Sequence, residues 1–185
     1  MIKSIVTPSF IDWHGKISTV LFLGGCNFKC PYCHNKPIAQ TPEGFQDCTL
    51  DDLCWDWIDG VVVSGGEPTI HLNLPEFLYS LRCRYGLPIK LDTNGSNPRM
   101  LKSLIDMGFV DFIAMDVKAP LTEKEYGLCC GVFPPPLDEI KASIQLIKSS
   151  GVEYEFRITP YPKENPDDIA CIMAYTGTLK VQRLR

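Results

Sequence analysis

Three cysteines that lie close together in the sequence are the residues best suited to chemistry. Cys26, Cys30 and Cys33 have the spacing CxxxCxxC within the segment GGCNFKCPYCHN. Thiolates favour soft metals such as iron and zinc, and three of them on one short loop can converge on a compact iron–sulfur cluster. A cubane cluster has four irons, so three protein thiolates leave one iron open to a further ligand. The spacing therefore predicts a [4Fe-4S] cluster with one open iron.

A zinc site completed by His34 is the alternative interpretation of this loop. The cluster is favoured, because adjacent Cys33 and His34 would have difficulty pointing at one tetrahedral centre. The odd total of nine cysteines and the tight group of three favour metal ligands in a reducing compartment over disulfides. The other cysteines have no comparable spacing and are interpreted as structural thiols: Cys48, Cys54, Cys83, Cys129, Cys130 and Cys171.

Composition predicts one folded domain and excludes several kinds of partner. With 185 residues, of which 45% are hydrophobic, we expect a single domain over residues 1–185. The formal net charge of -4 and the sequence pI of about 5.4 argue against a nucleic-acid-binding surface or an anchor to anionic membranes. The chain begins without the apolar segment of a secretory signal, and no stretch of about 18 apolar residues could span a bilayer. We therefore expect a cytoplasmic protein.

Apolar, β-branched runs alternate with segments of helical spacing and predict the elements that must position the cysteines. Continuous apolar runs are typical of strands covered on both faces, as in a parallel sheet. The alternation predicts an α/β fold with mostly parallel strands, arranged either as an open barrel or as a flatter sheet. A long loop is predicted over residues 122–136, which include three successive prolines. The predicted strands are residues 17–23, 60–63, 88–92, 111–116, 154–159 and 178–184, and the predicted helices are residues 73–85, 97–108 and 137–151.

A second motif, taken together with the cysteine loop, identifies a resemblance to a known family. Tyr32 stands before the last cysteine of the loop, and SGGEPT follows about thirty residues later. This combination resembles the radical S-adenosylmethionine (SAM) superfamily. The segments IDWHGK, DGVVVSGGEPT, KLDTNGSNP, DFIAMDVKAP and YEFRITPYP are similar to successive blocks of the anaerobic ribonucleoside-triphosphate reductase activating proteins. The resemblance implies a partial (β/α)6 TIM-like barrel that is open on one side.

The resemblance also implies a reaction. In that family a [4Fe-4S] cluster binds SAM and cleaves it reductively to methionine and a 5′-deoxyadenosyl radical, which takes a hydrogen atom from a glycine of a partner enzyme. The implied partner is anaerobic ribonucleoside-triphosphate reductase or a related glycyl radical enzyme, and the implied electron donor is of the flavodoxin or ferredoxin type. Two alternatives stay open: a radical SAM enzyme that acts on a small molecule, and a non-catalytic metal-binding module.

Residues at the ends of predicted strands are the SAM contacts that the resemblance implies. The SGGE stretch receives the methionine amino group, with Glu67 offsetting its charge and the glycines permitting close backbone approach. Lys118 pairs with the SAM carboxylate, and Asp116 either bonds SAM or joins Asp92 around a monovalent cation. An exposed ion pair between Asp116 and Lys118 is the alternative. Arg157 faces the SAM or radical channel, with a structural salt bridge as the alternative. The full set of implied cofactor contacts is Tyr32, Asn35, Ser64, Gly65, Gly66, Glu67, Asp92, Thr93, Asn94, Asp116, Lys118 and Arg157.

Overall fold

In the part of the chain that the structure describes, seven strands form one sheet that does not close on itself. The computed structural model describes residues 1–51 and 53–182. The strands follow one another in the sheet in chain order, with β1 antiparallel to β2 and every later neighbour parallel. The prediction of an open α/β fold with mostly parallel strands is therefore confirmed. The strands are β1 (Ile2–Ser9), β2 (Ser18–Leu23), β3 (Gly60–Gly65), β4 (Ile89–Thr93), β5 (Phe112–Asp116), β6 (Glu153–Ile158) and β7 (Lys180–Val181).

The two ends of the sheet differ most from the prediction. Strand β1 was not predicted, because its residues do not form a continuous apolar run. It lies at an edge, where Pro8 is tolerated and several side chains stay partly exposed. At the other end, β7 is only two residues long. The rest of the strand predicted over residues 178–184 includes residues 183 and 184, which lie outside the described part of the chain.

Six helices accompany the sheet within the described residues. The three predicted helices are confirmed as α2, α3 and α5, whereas α6 was not predicted. No helix in the described ranges combines the length and the apolar composition that crossing a bilayer requires. The helices are α1 (Lys36–Gln40), α2 (Leu74–Tyr85), α3 (Pro98–Asp106), α4 (Glu123–Cys130), α5 (Leu137–Ser149) and α6 (Pro166–Thr176).

The prediction of a continuous loop over residues 122–136 is wrong, because α4 occupies its first half. Thr122 caps this helix: its hydroxyl accepts a hydrogen bond from the Glu125 amide at 3.3 Å and donates one to the Glu125 carboxylate at 2.8 Å. Gly131 ends the helix in the left-handed conformation. The T-E-K-E segment carries the sequence signal of this N-terminus.

The sheet has an apolar outer face and a divided inner face. Successive residues of a strand point to opposite faces, and the outer positions pack against the helices in the main core. On the inner face, Trp13 packs with Val20 and Val62 near the amino ends of the strands. Towards the carboxyl ends the inner face becomes polar, with Lys90 and Arg157 among its buried side chains. The inner face is thus apolar near the amino ends of the strands and polar towards their carboxyl ends.

The capping of α4 leads to a stability prediction. We expect Thr122→Ala to lower the free energy of unfolding by about 1 kcal/mol, because the Glu125 amide loses its acceptor. Thr122→Ser keeps the hydroxyl and should stay close to the unchanged protein. Urea denaturation followed by circular dichroism measures both variants. Equal stability of the alanine variant and the unchanged protein would contradict the capping role.

Candidate active site

The predicted site residues converge on one cavity. It has a volume of about 610 Å³ and lies on the inner face of the sheet, at the carboxyl ends of the central strands. Parallel strands bring their carboxyl ends to the same rim, where α/β folds bind ligands. All fifteen residues named from the sequence line it: Cys26, Cys30, Tyr32, Cys33, Asn35, Ser64, Gly65, Gly66, Glu67, Asp92, Thr93, Asn94, Asp116, Lys118 and Arg157.

The cysteine loop follows β2 and forms one side of the cavity. Cys30 is buried, whereas Cys26 and Cys33 are partly exposed, and none of the three is in a disulfide. The amide of Phe28 donates to the Cys26 sulfur at 3.3 Å, a contact of the kind that supports cluster sulfurs. The donor set and its place on the cavity wall fit an iron–sulfur cluster.

A zinc site would need its ligands close together around one ion. Within residues 1–51 and 53–182, no three Cys, His, Asp or Glu side chains are arranged to hold a single metal ion. The thiolates of a cubane bind different irons and therefore stand farther apart than the ligands of one zinc ion. His34 is exposed at the cavity rim.

The C-terminus of α4 supports the cysteine loop from behind. The Cys130 carbonyl accepts hydrogen bonds from the Lys29 amide at 2.8 Å and from the Cys30 thiol at 3.8 Å. A Cβ atom on Gly131 would lie only 2.3 Å from the Lys29 carbonyl oxygen. The segment predicted as a loop is thus part of the frame of the site, with Cys130 acting here through its backbone.

Gly65 and Gly66 of SGGE let other backbone segments of this chain approach them closely. An added Cβ would lie 1.8 Å from the Gly25 carbonyl oxygen at Gly66, and 2.3 Å from the backbone of Leu23 at Gly65. The amide of Glu67 also donates to the Gly25 carbonyl at 2.9 Å. The turn after β3 therefore packs directly against the start of the cysteine loop, and side chains larger than hydrogen are excluded there.

Glu67 connects the ends of two strands. Its carboxylate is fully buried and accepts hydrogen bonds from the amide and hydroxyl of Thr69, at 3.1 and 2.5 Å. It also accepts from the Thr93 hydroxyl at 2.8 Å and the Asn94 amide at 2.6 Å. Burial raises the pKa of this carboxyl, and the hydrogen bonds act in the opposite direction. These contacts make Glu67 a brace between the turns after β3 and β4.

Asn35 and Tyr32 attach the cysteine loop to other parts of the rim. The Asn35 side-chain amide donates to the Gly65 carbonyl at 3.0 Å. The Tyr32 ring stacks on Tyr161, with 4.7 Å between the ring centroids. Tyr161 follows β6 and was not singled out from the sequence.

A network of charged side chains lines the opposite wall. Arg157 donates from Nε to Asp116 at 2.8 Å and from Nη1 to Asp92 at 3.2 Å. Lys118 donates to Asp116 at 2.9 Å, and the Ser64 hydroxyl donates to Asp92 at 3.1 Å. Arg157 therefore forms the structural salt bridges that were the alternative interpretation, and it also lines the cavity. Lys118 is ion-paired, but only 16% of its side chain is exposed.

The charges of the network act on each other. Burial raises the pKa of Asp116, but Arg157 and Lys118 outweigh it and lower that pKa to about 2. For Asp92, burial raises the pKa, whereas Arg157 and Lys90 oppose the rise. Asp116 is thus held ionised at the rim of the cavity.

Sequence reasoning missed several residues of the inner face. Lys90 is 3% exposed and donates to the Asp12 carbonyl at 2.6 Å and to Glu155 at 3.4 Å. Its place two residues before Asp92 on a strand was the available signal, since such residues share a face. Ser4 and Val6 of β1 also line the cavity, and they were missed together with that strand.

Burial also changes the acidity of two cysteines of this loop. It raises the pKa of Cys26 to about 12 and that of Cys30 to about 11. Without a metal, both thiols are therefore protonated near neutral pH, and metal binding must release their protons.

The chain is similar to known proteins over most of its length. The family model of the Radical SAM superfamily matches residues 20–175. A glycyl-radical enzyme activating enzyme of Methanocaldococcus jannaschii is 36% identical over 177 residues, which cover 92% of this chain and 74% of that protein. A pyruvate formate-lyase-activating enzyme of Listeria monocytogenes is 24% identical over 192 residues, covering 96% of this chain and 76% of that protein.

Solved structures share the fold at low sequence identity. Native anSMEcpe with bound AdoMet and a peptide has a TM-score of 0.62 and 17% identity, covering 88% of this chain and 48% of that one. Streptococcus suis SuiB bound to the precursor peptide SuiA has a TM-score of 0.65 and 16% identity, covering 90% of this chain and 38% of that one. The chain thus spans half or less of these two proteins, and the likeness concerns the fold.

The close packing at Gly66 leads to a prediction on cluster loading. Gly66→Ala should reduce the iron bound after anaerobic reconstitution by roughly half or more, because backbone atoms on both sides of the contact must move. Gly44→Ala is the matched control, since an added Cβ there meets no atom within 4 Å. Iron and sulfide analysis measures both variants. Normal loading of the Gly66 variant would show that the contact does not position the loop.

The raised thiol pKa values lead to a prediction on reactivity. In the cluster-free, reduced chain at pH 8, Cys26 and Cys30 should react with iodoacetamide at least about 100-fold more slowly than exposed Cys171, because only thiolate reacts. The labelling rates of Cys26 and Cys30 should keep rising well above pH 9 as their thiolate fractions grow. Peptide mass spectrometry measures labelling at each position. Labelling of Cys26 as fast as Cys171 would contradict the burial effect.

Proposed function

This chain belongs to the radical SAM superfamily, and from that premise we propose that it activates a glycyl radical enzyme, with anaerobic ribonucleoside-triphosphate reductase as the partner. One observation carries the proposal: the cysteine loop and the ends of β3, β4 and β5 converge on a single cavity. The names of the two curated relatives, both activating enzymes, support it. The sequence blocks that resemble reductase activating proteins support the choice of partner.

The cysteines supply the cluster site in this proposal. Cys26, Cys30 and Cys33 would hold a [4Fe-4S] cluster and leave one iron open. When bound, the cluster supplies the electron that splits SAM into methionine and a 5′-deoxyadenosyl radical. The backbone support from Gly66 and Cys130 would keep the loop in place while the partner docks.

Charge complementarity supports the SAM site. The methionine end of SAM carries an ammonium and a carboxylate, and the cavity wall offers groups of both signs. In this proposal the turn of residues 64–67, beside Asp92 and Asp116, receives the ammonium, as the resemblance implies. Lys118 has two further N–H donors for the carboxylate beyond its bond to Asp116. In this proposal Glu67 also holds the rim together through Thr93 and Asn94. Tyr32, Asn35, Ser64, Gly65, Gly66 and Arg157 complete the proposed contacts.

The open side of the sheet favours a protein substrate. Residues of both sheet ends border the cavity, Ser4 and Val6 on β1 and Gln182 after β7. A glycine on a loop of a large partner could enter between these ends, while the partner covers the opening and excludes water.

We include in the proposal a flavodoxin- or ferredoxin-type electron donor, a single domain, a cytoplasmic location and no nucleic-acid partner.

The test of the activity uses anaerobically reconstituted protein, SAM, a reductant and candidate glycyl radical enzymes. We expect about four irons per chain, 5′-deoxyadenosine formation, and a glycyl radical on the reductase seen by electron paramagnetic resonance. A radical on pyruvate formate-lyase instead would contradict the proposed partner but support the proposed activating function. Cleavage of SAM with no protein radical on any candidate would favour a small-molecule substrate. Colourless zinc protein that is inert towards SAM would overturn the proposal.

A cysteine variant separates the chemistry from the fold. Cys30→Ala should abolish 5′-deoxyadenosine formation while the chain stays folded, because the loop is peripheral to the sheet and the cluster loses a ligand. Cys171→Ala removes an exposed thiol and should keep full activity. Chromatography of the products and circular dichroism measure the two effects. Continued reductive cleavage of SAM by the Cys30 variant would refute the cluster assignment.

A further inference from the structure

A guanidinium group lies between the two carboxylates for which the family resemblance implies a monovalent cation. Arg157 bonds Asp116 through Nε at 2.8 Å and Asp92 through Nη1 at 3.2 Å. The other oxygen of Asp116 accepts from Lys118, and the other oxygen of Asp92 accepts from Ser64. Each of the four carboxylate oxygens thus already has a donor from the chain itself.

The carboxylates of this network are neutralised by side chains of the protein, without an added ion. Besides Asp92 and Asp116, the network contains Glu155, whose carboxylate lies 3.4 Å from Lys90 and 3.8 Å from Arg157. Lys90 also lies 3.8 Å from Asp92. Lys180, whose side chain is 56% exposed, pairs with Glu155 from outside at 3.2 Å. The three carboxylates therefore face at least as many cations, which are Lys90, Lys118, Arg157 and Lys180 against Asp92, Asp116 and Glu155.

Burial makes this arrangement costly to rearrange. Lys90 is 3% exposed and Arg157 is 8% exposed, so neither can exchange its carboxylate partner freely for water. An inorganic cation between Asp92 and Asp116 would have to displace the guanidinium from both carboxylates and leave it only the longer contact to Glu155. A planar guanidinium also suits two carboxylates at once, because its N–H groups diverge in a fixed fork.

We propose that Arg157 takes the place of an inorganic cation at this site, so that SAM binding and cleavage do not require Na⁺ or K⁺. The inference rests on the proposed SAM site and specifies how that site is held together. Arg157 is in this sense a positioning residue, which orients Asp92 and Asp116 towards the cavity.

The first test compares cations on the unchanged protein. The reconstituted enzyme is assayed for 5′-deoxyadenosine with SAM and a chemical reductant in KCl, NaCl and tetramethylammonium chloride at equal ionic strength. We expect the three rates to agree within about twofold, because the site needs no small cation. A fall of about tenfold or more in tetramethylammonium that KCl or NaCl reverses would overturn the proposal.

The second test removes the guanidinium. Arg157→Ala should lose at least about tenfold in rate in tetramethylammonium and recover part of it with K⁺, Na⁺ or free guanidinium, which can fill the space. Arg157→Lys keeps a charge and should stay independent of the salt cation. Arg84→Ala is the matched control, because it removes an exposed guanidinium that pairs with Asp51 on the surface. A loss in Arg157→Ala that no cation relieves would contradict the proposed role.

A third measurement does not depend on activity. The thermal midpoint of Arg157→Ala should rise in KCl relative to tetramethylammonium chloride, because an ion that binds only the folded state stabilises it. The midpoints of the unchanged protein and of Arg84→Ala should be equal in the two salts. If the unchanged protein is stabilised specifically by K⁺ or Na⁺, the proposal fails. If SAM is cleaved in none of the salts, the proposed function fails. The thermal midpoints then still test whether Arg157 takes the place of a cation.

Discussion

Charge pairing on the inner face of an open sheet is the constraint on which the site depends. A charged group that leaves bulk water is strongly destabilising unless an opposite charge meets it with good geometry. Arg157 meets this condition for Asp92 and Asp116, and Lys90 does so for Asp92 and Glu155. These residues lie on β4, β5 and β6. Their pairing therefore joins three strands next to the cavity. The same ion pairs that offset the cost of burying these charges also form the cavity wall.

The cysteine side of the cavity is held mainly by backbone contacts. Gly66 packs against Gly25, and the Cys130 carbonyl accepts from Lys29 and Cys30. Glu67 joins the turns after β3 and β4 through the side-chain hydroxyl of Thr93 and the amide of the next residue. A loop held in this way keeps its shape without its own secondary structure. The thiols can then lie at the cavity wall although no helix or strand carries them.

The family resemblance named the candidate site residues, and they meet at one cavity because strand ends of a parallel sheet share one rim. For Asp92 and Asp116, the correct prediction of their two strands was enough to place the residues near each other. Lys90 and its partner Asp12 are 78 residues apart, and no local pattern links them. Strand β1 is stabilised by pairing with β2 rather than by its own composition. Helix α4 did carry a local signal at Thr122 and Glu125, but the glycines and prolines of the segment 122–136 favoured a loop.

The fold also reconciles two opposing requirements of the proposed chemistry. A radical must be shielded from water, yet the glycine of a protein partner must reach it. Trp13 and Phe112, with 6.0 Å between their ring centroids, pack at the floor of the inner face, and the cysteine loop borders the rim. Val6 and Gln182 border the cavity from the two ends of the sheet. A partner that inserts its loop between these ends would complete the enclosure, so in the proposed reaction the substrate itself supplies the missing wall.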